Sequence, residues 1–177
     1  DSLDEIDETI IISLSNPANA TLGTNVVHTV TIQDDDSPPD IDFDLTSSSG
    51  DEANASKSIT VNLSAISSKD VTVDYVITGT ATGSGTDYAL ANGTLTISAG
   101  STSGTIIIEN IADDSLDEEN ETVIITLSSP SNATLGSDSV HTYTINDNDS
   151  APVVDFNTTS SSGVESVSSA GLTVNLS

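Results

Sequence analysis

The chain has 177 residues, of which 28 are Asp or Glu and only two, Lys57 and Lys69, are basic, giving a net charge of −26. Nucleic acid, which is bound by neutralising phosphates with Lys and Arg, is excluded as a partner, and so is electrostatic docking on anionic lipid. Without cysteine there is no disulfide framework, and without a run of about 20 apolar residues there is no direct membrane insertion; export and anchoring signals are expected elsewhere in a longer chain.

The chain repeats itself. Residues 1–64 realign on residues 114–177 without a gap, an offset of 113, and 40 of the 64 positions are identical. Asp1-Ser-Leu-Asp-Glu5 returns as Asp114-Ser-Leu-Asp-Glu118, and Thr46-Ser-Ser-Ser-Gly50 as Thr159-Ser-Ser-Ser-Gly163. That period exceeds the roughly 20 to 50 residues of a solenoid unit and suits a domain of about 100 to 150. The chain therefore reads as residues 1–37, the C-terminal part of one repeat, 38–150, a complete repeat, and 151–177, the N-terminal part of the next. The flanks lack three of the strands and are not expected to close a sandwich between them; an excerpt from a filament is expected.

Within the complete repeat, β-branched residues alternate with polar ones in short runs bounded by turn residues, which predicts an all-β chain. Seven strands are predicted, near residues 40–45, 58–63, 70–77, 87–89 leading on to 93–97, 104–110, 122–127 and 140–145. Seven short strands with turns every 8 to 15 residues point to an immunoglobulin-like Greek-key β-sandwich.

Strand parity then sorts the acids. If successive strands run up and down, the loops after the first, third and fifth strands and the end of the seventh emerge at one tip. That tip receives Asp51, Glu52, Asp87, Asp113, Asp114, Asp117, Glu118, Glu119, Glu121, Asp147 and Asp149, eleven of the repeat's 18 carboxylates. The opposite tip receives Asp138, with Asp70 at its margin. Two like charges 4 Å apart repel by about 4 kcal/mol at an effective dielectric near 20, and several such pairs rival the roughly 5 to 15 kcal/mol stability of a domain. Either proton affinities rise or a cation enters. With oxygen donors only, Ca2+ is better served than Zn2+, Cu2+ or Mg2+.

The run Val73-Asp-Tyr-Val76, Gly79-Thr-Ala81, Thr86-Asp-Tyr88, Asp113-Asp114, Glu118-Glu119-Asn-Glu121 and the closing Thr144-Ile-Asn-Asp-Asn-Asp149 resembles the Calx-beta domain. The resemblance implies a seven-stranded immunoglobulin-like sandwich that binds a cluster of Ca2+ ions at one tip, in ion-exchanger sensors and in long bacterial surface proteins. It implies ligands at Glu52, Asp87, Asp113, Asp114, Glu118, Glu121, Asp147 and Asp149. Further candidate metal ligands in the flanks are Asp1, Asp4, Glu5, Glu8, Asp34 and Asp36 in the first and Glu165 in the last. Asn148 and Ser115 stand where exchanger domains carry acids, which implies a weaker site. The segment Asn146-Asp-Asn-Asp-Ser-Ala-Pro152 also resembles a cadherin linker, and a cadherin-like adhesive module stays open beside the sensor reading.

The remaining residues point to no catalysis. His28 and His141 occupy equivalent places in the last strand and read as half-buried strand histidines, and no Ser or Thr has a His and an acid spaced to activate it. Lys57 and Lys69 lie outside apolar strands and do not read as isopeptide cross-links. Only Ser150, Ala151 and Pro152 separate the acidic end of one repeat from the next strand, a short and Pro-stiffened joint. The expected function is an extracellular, calcium-rigidified spacer or adhesin stalk on a bacterial cell surface. Its expected partners are the neighbouring repeats and other surface components.

Overall fold

The computed structural model describes residues 2–177; Asp1 lies outside the described residues. Strands form where Val, Ile and Thr alternate with polar residues, and those of the complete repeat make two facing sheets. One sheet joins β3 (Asp40–Phe43), β5 (Ser56–Leu63), β8 (Ser103–Glu109) and the short β10 (Thr134–Leu135) in the order β10-β3-β5-β8. The other runs β4-β11-β9-β6-β7, with β4 (Ser47–Asp51), β6 (Val71–Gly79), β7 (Gly93–Ile97), β9 (Glu121–Ser131) and β11 (Val140–Asn146). Among the described residues no helix is long and apolar enough to cross a membrane.

The core lies between the sheets and is the inward half of each alternation. β5 supplies Ile59, Val61 and Leu63, β6 Val71 and Val73, β8 Ile106 and Ile108, β9 Val123, Ile125 and Leu127, and β11 Tyr143 and Ile145, all buried. Each such aliphatic side chain contributes about 1.5 to 3 kcal/mol through burial. Ile107, between Ile106 and Ile108, points outward and is exposed, as period 2 requires.

The strand set departs from the sequence expectation in three places. The first predicted strand ends at Phe43: β3 pairs antiparallel with β5, and the chain then crosses to the other sheet, where β4, in the segment expected to be a loop, pairs parallel with β11 from Ser47 opposite Thr142 to Asp51 opposite Asn146. Ser47–Asp51 is Ser, Ser, Ser, Gly, Asp and has no apolar alternation, so its place is set by backbone pairing and by a neighbour with room for no side chain. A Cβ at Gly50 would stand 2.5 Å from the Tyr143 hydroxyl. Second, Asp87–Ala89 is not continuous with β7; Ala89 forms an isolated bridge with Glu109 of the opposite sheet, their two backbone hydrogen bonds measuring 2.6 and 3.1 Å. Third, β10 was not expected; only two residues long, it carries no readable pattern.

Two buried residues fasten the loops of the acidic end to this core. Tyr88 follows Asp87 and Ile111 precedes Asp113, and both are buried in the main cluster. At Gly79, where β6 leaves its sheet, φ is +133° and a Cβ would meet the Thr122 carbonyl oxygen at 2.0 Å, so only glycine lets the chain turn against β9.

The flanks form part of the strand set of their sequence equivalents; residues 160–164 and 21–22, equivalent to β4 and β10, are not strands. β1 (Glu8–Ser13) pairs antiparallel with β2 (Val27–Ile32), matching β9 and β11, and β12 (Val154–Phe156) pairs with β13 (Val174–Leu176), matching β3 and β5. Their apolar side chains, such as Ile11, Val30 and Phe156, are exposed, because two strands offer no facing sheet.

Candidate metal centre

Four separate stretches of chain bring carboxylates to one end of the sandwich. The parallel pairing of β4 with β11 places Glu52 beside the end of β11, where its backbone N–H donates to the Asn146 carbonyl at 3.0 Å. Asp147 and Asp149 continue from β11. Asp87 is held in a tight loop, its N–H bonded to the Thr82 carbonyl at 2.9 Å and its carboxylate accepting the Thr82 N–H. The Asp87 carbonyl accepts the Ala112 N–H at 2.9 Å and so ties this loop to the one that carries Asp113 and Asp114.

Glu52, Asp87, Asp114, Glu118 and Glu121 line a cleft of about 190 Å³ together with Thr86, Ala112 and Ile145. Asp147 and Asp149 close on Glu52, and one carboxylate oxygen from each of the three lies within 4.8 Å of the other two. Asp113 completes the group: its carboxylate accepts the Asn148 side-chain amide at 3.2 Å. Loop backbone holds several acids in place, with the Glu118 N–H donating to Asp147 at 3.1 Å, the Asp149 N–H to Asp147 at 3.2 Å and the Leu116 N–H to Asp114 at 2.7 Å.

Among the described residues none of these acids forms an ion pair. Glu52 is 7% exposed, and its Oε1, like Oδ2 of Asp149, is buried without a hydrogen-bond partner among the described residues. Burial pushes the Glu52 carboxyl above the usual carboxylate range, and the charges of Asp147, Asp149 and Asp113 push the same way against one opposing backbone hydrogen bond from Asn148. Burial also raises the Glu121 carboxyl, and its neighbours Asp87 and Glu118 push the same way. An orphaned buried oxygen costs about 1 to 3 kcal/mol, more when charged, so the arrangement fits a hard cation with several oxygen ligands.

The eight acids named in the complete repeat thus meet at one end. In the first flank, Glu5, Glu8, Asp34 and Asp36 line a similar cleft of about 210 Å³. Its backbone bonds repeat those of the complete repeat, with the Glu5 N–H donating to Asp34 at 3.1 Å and the Asp36 N–H to Asp34 at 3.4 Å. Asp4 does otherwise: its carboxylate turns away to the Ser67 hydroxyl at 2.7 Å and Lys69 Nζ at 2.9 Å. Glu165 is exposed beside a turn closed by the Val167 N–H on the Val164 carbonyl, and lines neither cleft.

Two residues matter more than the sequence indicated. His141 is 2% exposed, fully rather than half buried; its Nδ1 donates to the Leu45 carbonyl at 2.6 Å, its Nε2 pairs with the Ser48 hydroxyl at 2.9 Å, and its ring packs against Phe43 at 5.5 Å. It pins the crossover from β3 to β4 and so positions Glu52. Lys69, one of only two cations, bonds the first flank; its place in the loop facing the preceding repeat was the available signal.

Two facing sheets with a carboxylate-lined end define a β-sandwich module built around a polyacidic tip. The Calx-beta domain family matches residues 34–149, and the chain belongs to that family. Among solved structures, CBD12 from CALX1.2 is 25% identical with a TM-score of 0.57, over 67% of this chain and 48% of that one. The apo-form Calx CBD1 domain is 28% identical with a TM-score of 0.57, over 63% of this chain and 99% of that one. The calcium binding domain CBD12 of CALX1.1 is also 28% identical at a TM-score of 0.57, over 67% and 48%. The chain thus spans about half the length of either CBD12. No curated protein matches the chain.

Proposed function

We propose that the complete repeat binds Ca2+ at its acidic tip and serves, without catalysis, as a rigidified spacer between successive repeats of an extracellular, cell-surface filament. One observation carries the calcium reading: a buried, unpartnered Glu52 oxygen facing Asp147 and Asp149, which only a proton or a cation relieves. The family match and the likeness to the calcium binding domain CBD12 of CALX1.1 support it. Glu52, Asp147 and Asp149 are one set of ligands, and Asp87, Asp113, Asp114, Glu118 and Glu121 supply the rest of a many-oxygen shell. The spacer reading rests on the 113-residue repetition and on the short joints after Asp36 and Asp149, which put each tip against a neighbouring repeat. Cations there would cancel repulsion and fix the loops.

Titration calorimetry of the chain with Ca2+ tests the site. Binding in the ~10⁻⁴ to 10⁻³ M range of extracellular modules, or tighter, is expected, with a higher melting temperature in millimolar Ca2+. Absence of both heat and thermal shift overturns it.

A further inference from the structure

In the loop joining β5 to β6, the structure holds the tip of the preceding repeat. Asp4 is 4% exposed, and every oxygen it offers is used: one carboxylate oxygen accepts the Ser67 hydroxyl at 2.7 Å, the other takes Lys69 Nζ at 2.9 Å, and its carbonyl accepts the Ser68 N–H at 3.0 Å and the Ser68 hydroxyl at 3.1 Å. Lys69 Nζ also lies 3.7 Å from Asp34. Ser67 is itself 1% exposed and its hydroxyl accepts the Lys69 N–H at 3.1 Å, so the loop is folded around the incoming carboxylate. An isolated β-bridge between Asp4 and Ser67 adds backbone registration.

We infer that Ser67-Ser68-Lys69 is a socket for the acidic tip of the preceding repeat, with Asp4 as the inserted plug, and that Asp117 is the corresponding plug for the Ser-Ser-Lys loop of a following repeat. The offset of 113 equates Asp4 with Asp117 and Asp34 with Asp147. Asp117 is exposed, and Asp147 already lies in the acidic group of the complete repeat. The ammonium of one repeat thereby touches an acid at the edge of its neighbour's candidate metal centre, so that a lysine and a cation neutralise the same tip from two sides. With two lysines in a chain of charge −26, committing one to the joint makes that joint directional: an acidic tip meets a lysine loop, and two acidic tips repel. The inference rests on reading the chain as consecutive repeats; it does not require calcium, since the socket is built from protein groups alone.

The chain lacks cysteine, so cysteines placed at the exposed Thr24 and Ser101 take spin labels specifically, one on the first flank and one beside the socket. Double electron–electron resonance on the 177-residue chain, in chelator and in 10 mM Ca2+ (about 100 times a 10⁻⁴ M dissociation constant), reads the spread of the distance between them. The distribution is expected to be narrower in Ca2+ than in chelator, and in both solutions to be broadened about twofold or more by Lys69→Ala, Ser67→Ala or Asp4→Asn, largely restored by Lys69→Arg, and unaffected by Lys57→Ala. Asp4 lies outside the core of the complete repeat, so Asp4→Asn keeps the test valid if a socket variant misfolds. A width unchanged by Lys69→Ala and Asp4→Asn overturns the socket. Lys69-dependent broadening in a chain that gives no calcium heat leaves the socket standing and removes the calcium reading.

Discussion

Glu52 and Asp149, nearly a hundred residues apart in the chain, each present a buried, unpartnered carboxylate oxygen at the same end of the sandwich, and with Asp147 they form the tightest acidic group among the described residues. Their mutual repulsion is opposed by the core behind the tip and by the backbone hydrogen bonds of its loops.

Neutralising either acid should separate the two roles of the tip. Glu52→Gln or Asp149→Asn is expected to weaken Ca2+ binding about tenfold or more, close to 1.4 kcal/mol. The metal-free protein should become about 1 kcal/mol more stable, because an amide gives the remaining carboxylate a donor. Asp138→Asn, at the opposite tip, should leave binding unchanged. Calorimetric titration and chelator-treated melting curves measure both signs; equal losses at the two tips would contradict the placement of the site.

The pH dependence follows from the raised groups. Glu52 and Glu121 hold a proton more tightly folded than unfolded, Glu52 through burial and three neighbouring acids, Glu121 through burial and Asp87. Metal-free stability therefore rises as pH falls from neutral through their folded values, and that gain is complete below about 4.3, the ordinary Glu value. Asp4 has the opposite sign: hydrogen bonding to Lys69 holds it below the usual range, so its contribution is present above the unfolded value and lost as pH falls through the folded one. In chelator the melting temperature should be highest in mildly acidic solution, and in Ca2+ at neutral pH, since protons compete for the ligands. A metal-free maximum at neutral pH would refute this.

His141→Ala should cost roughly 3 kcal/mol or more, the scale of truncating a buried ring, with two hydrogen bonds lost as well. Because His141 holds Ser48 and the start of β4, Ca2+ affinity should also fall although the residue touches no carboxylate. Urea unfolding and calcium titration of the same variant check the pair; a stability loss with unchanged affinity would free Glu52 from β4.

Gly79→Ala should destabilise by about 1 to 3 kcal/mol, the usual cost of a strained backbone residue, because φ is +133° and the added methyl meets Thr122. Thermal unfolding detects it, and a neutral outcome would mean that β6 and β9 can part at this point.

A protein of several complete repeats should be extended and uniform in Ca2+ and more flexible after chelation, while strands β3 to β11 persist because their Val/Ile core uses no metal. Small-angle scattering reads the change in maximum dimension; circular dichroism reads the persistence. An unchanged dimension would remove the spacer mechanism while leaving calcium binding intact.

Alternation of apolar and polar residues determined the inward faces of β5, β6, β8, β9 and β11 from the sequence alone, because a strand exposes successive side chains to opposite sides whatever its partner. Parity then placed the acids at one end, since loop position follows from strand direction. Local pattern did not reveal β4, a polar run that is a strand only because β11 offers it backbone partners, nor the full burial of His141, which depends on Leu45 and Ser48 arriving from the crossover. The tertiary structure alone decided which carboxylates lose water and which find a cation. Glu52 and Asp4 are both acidic residues at a tip, yet one is buried against three acids and the other against Lys69, and that difference lies in contacts more than 60 residues apart in the chain.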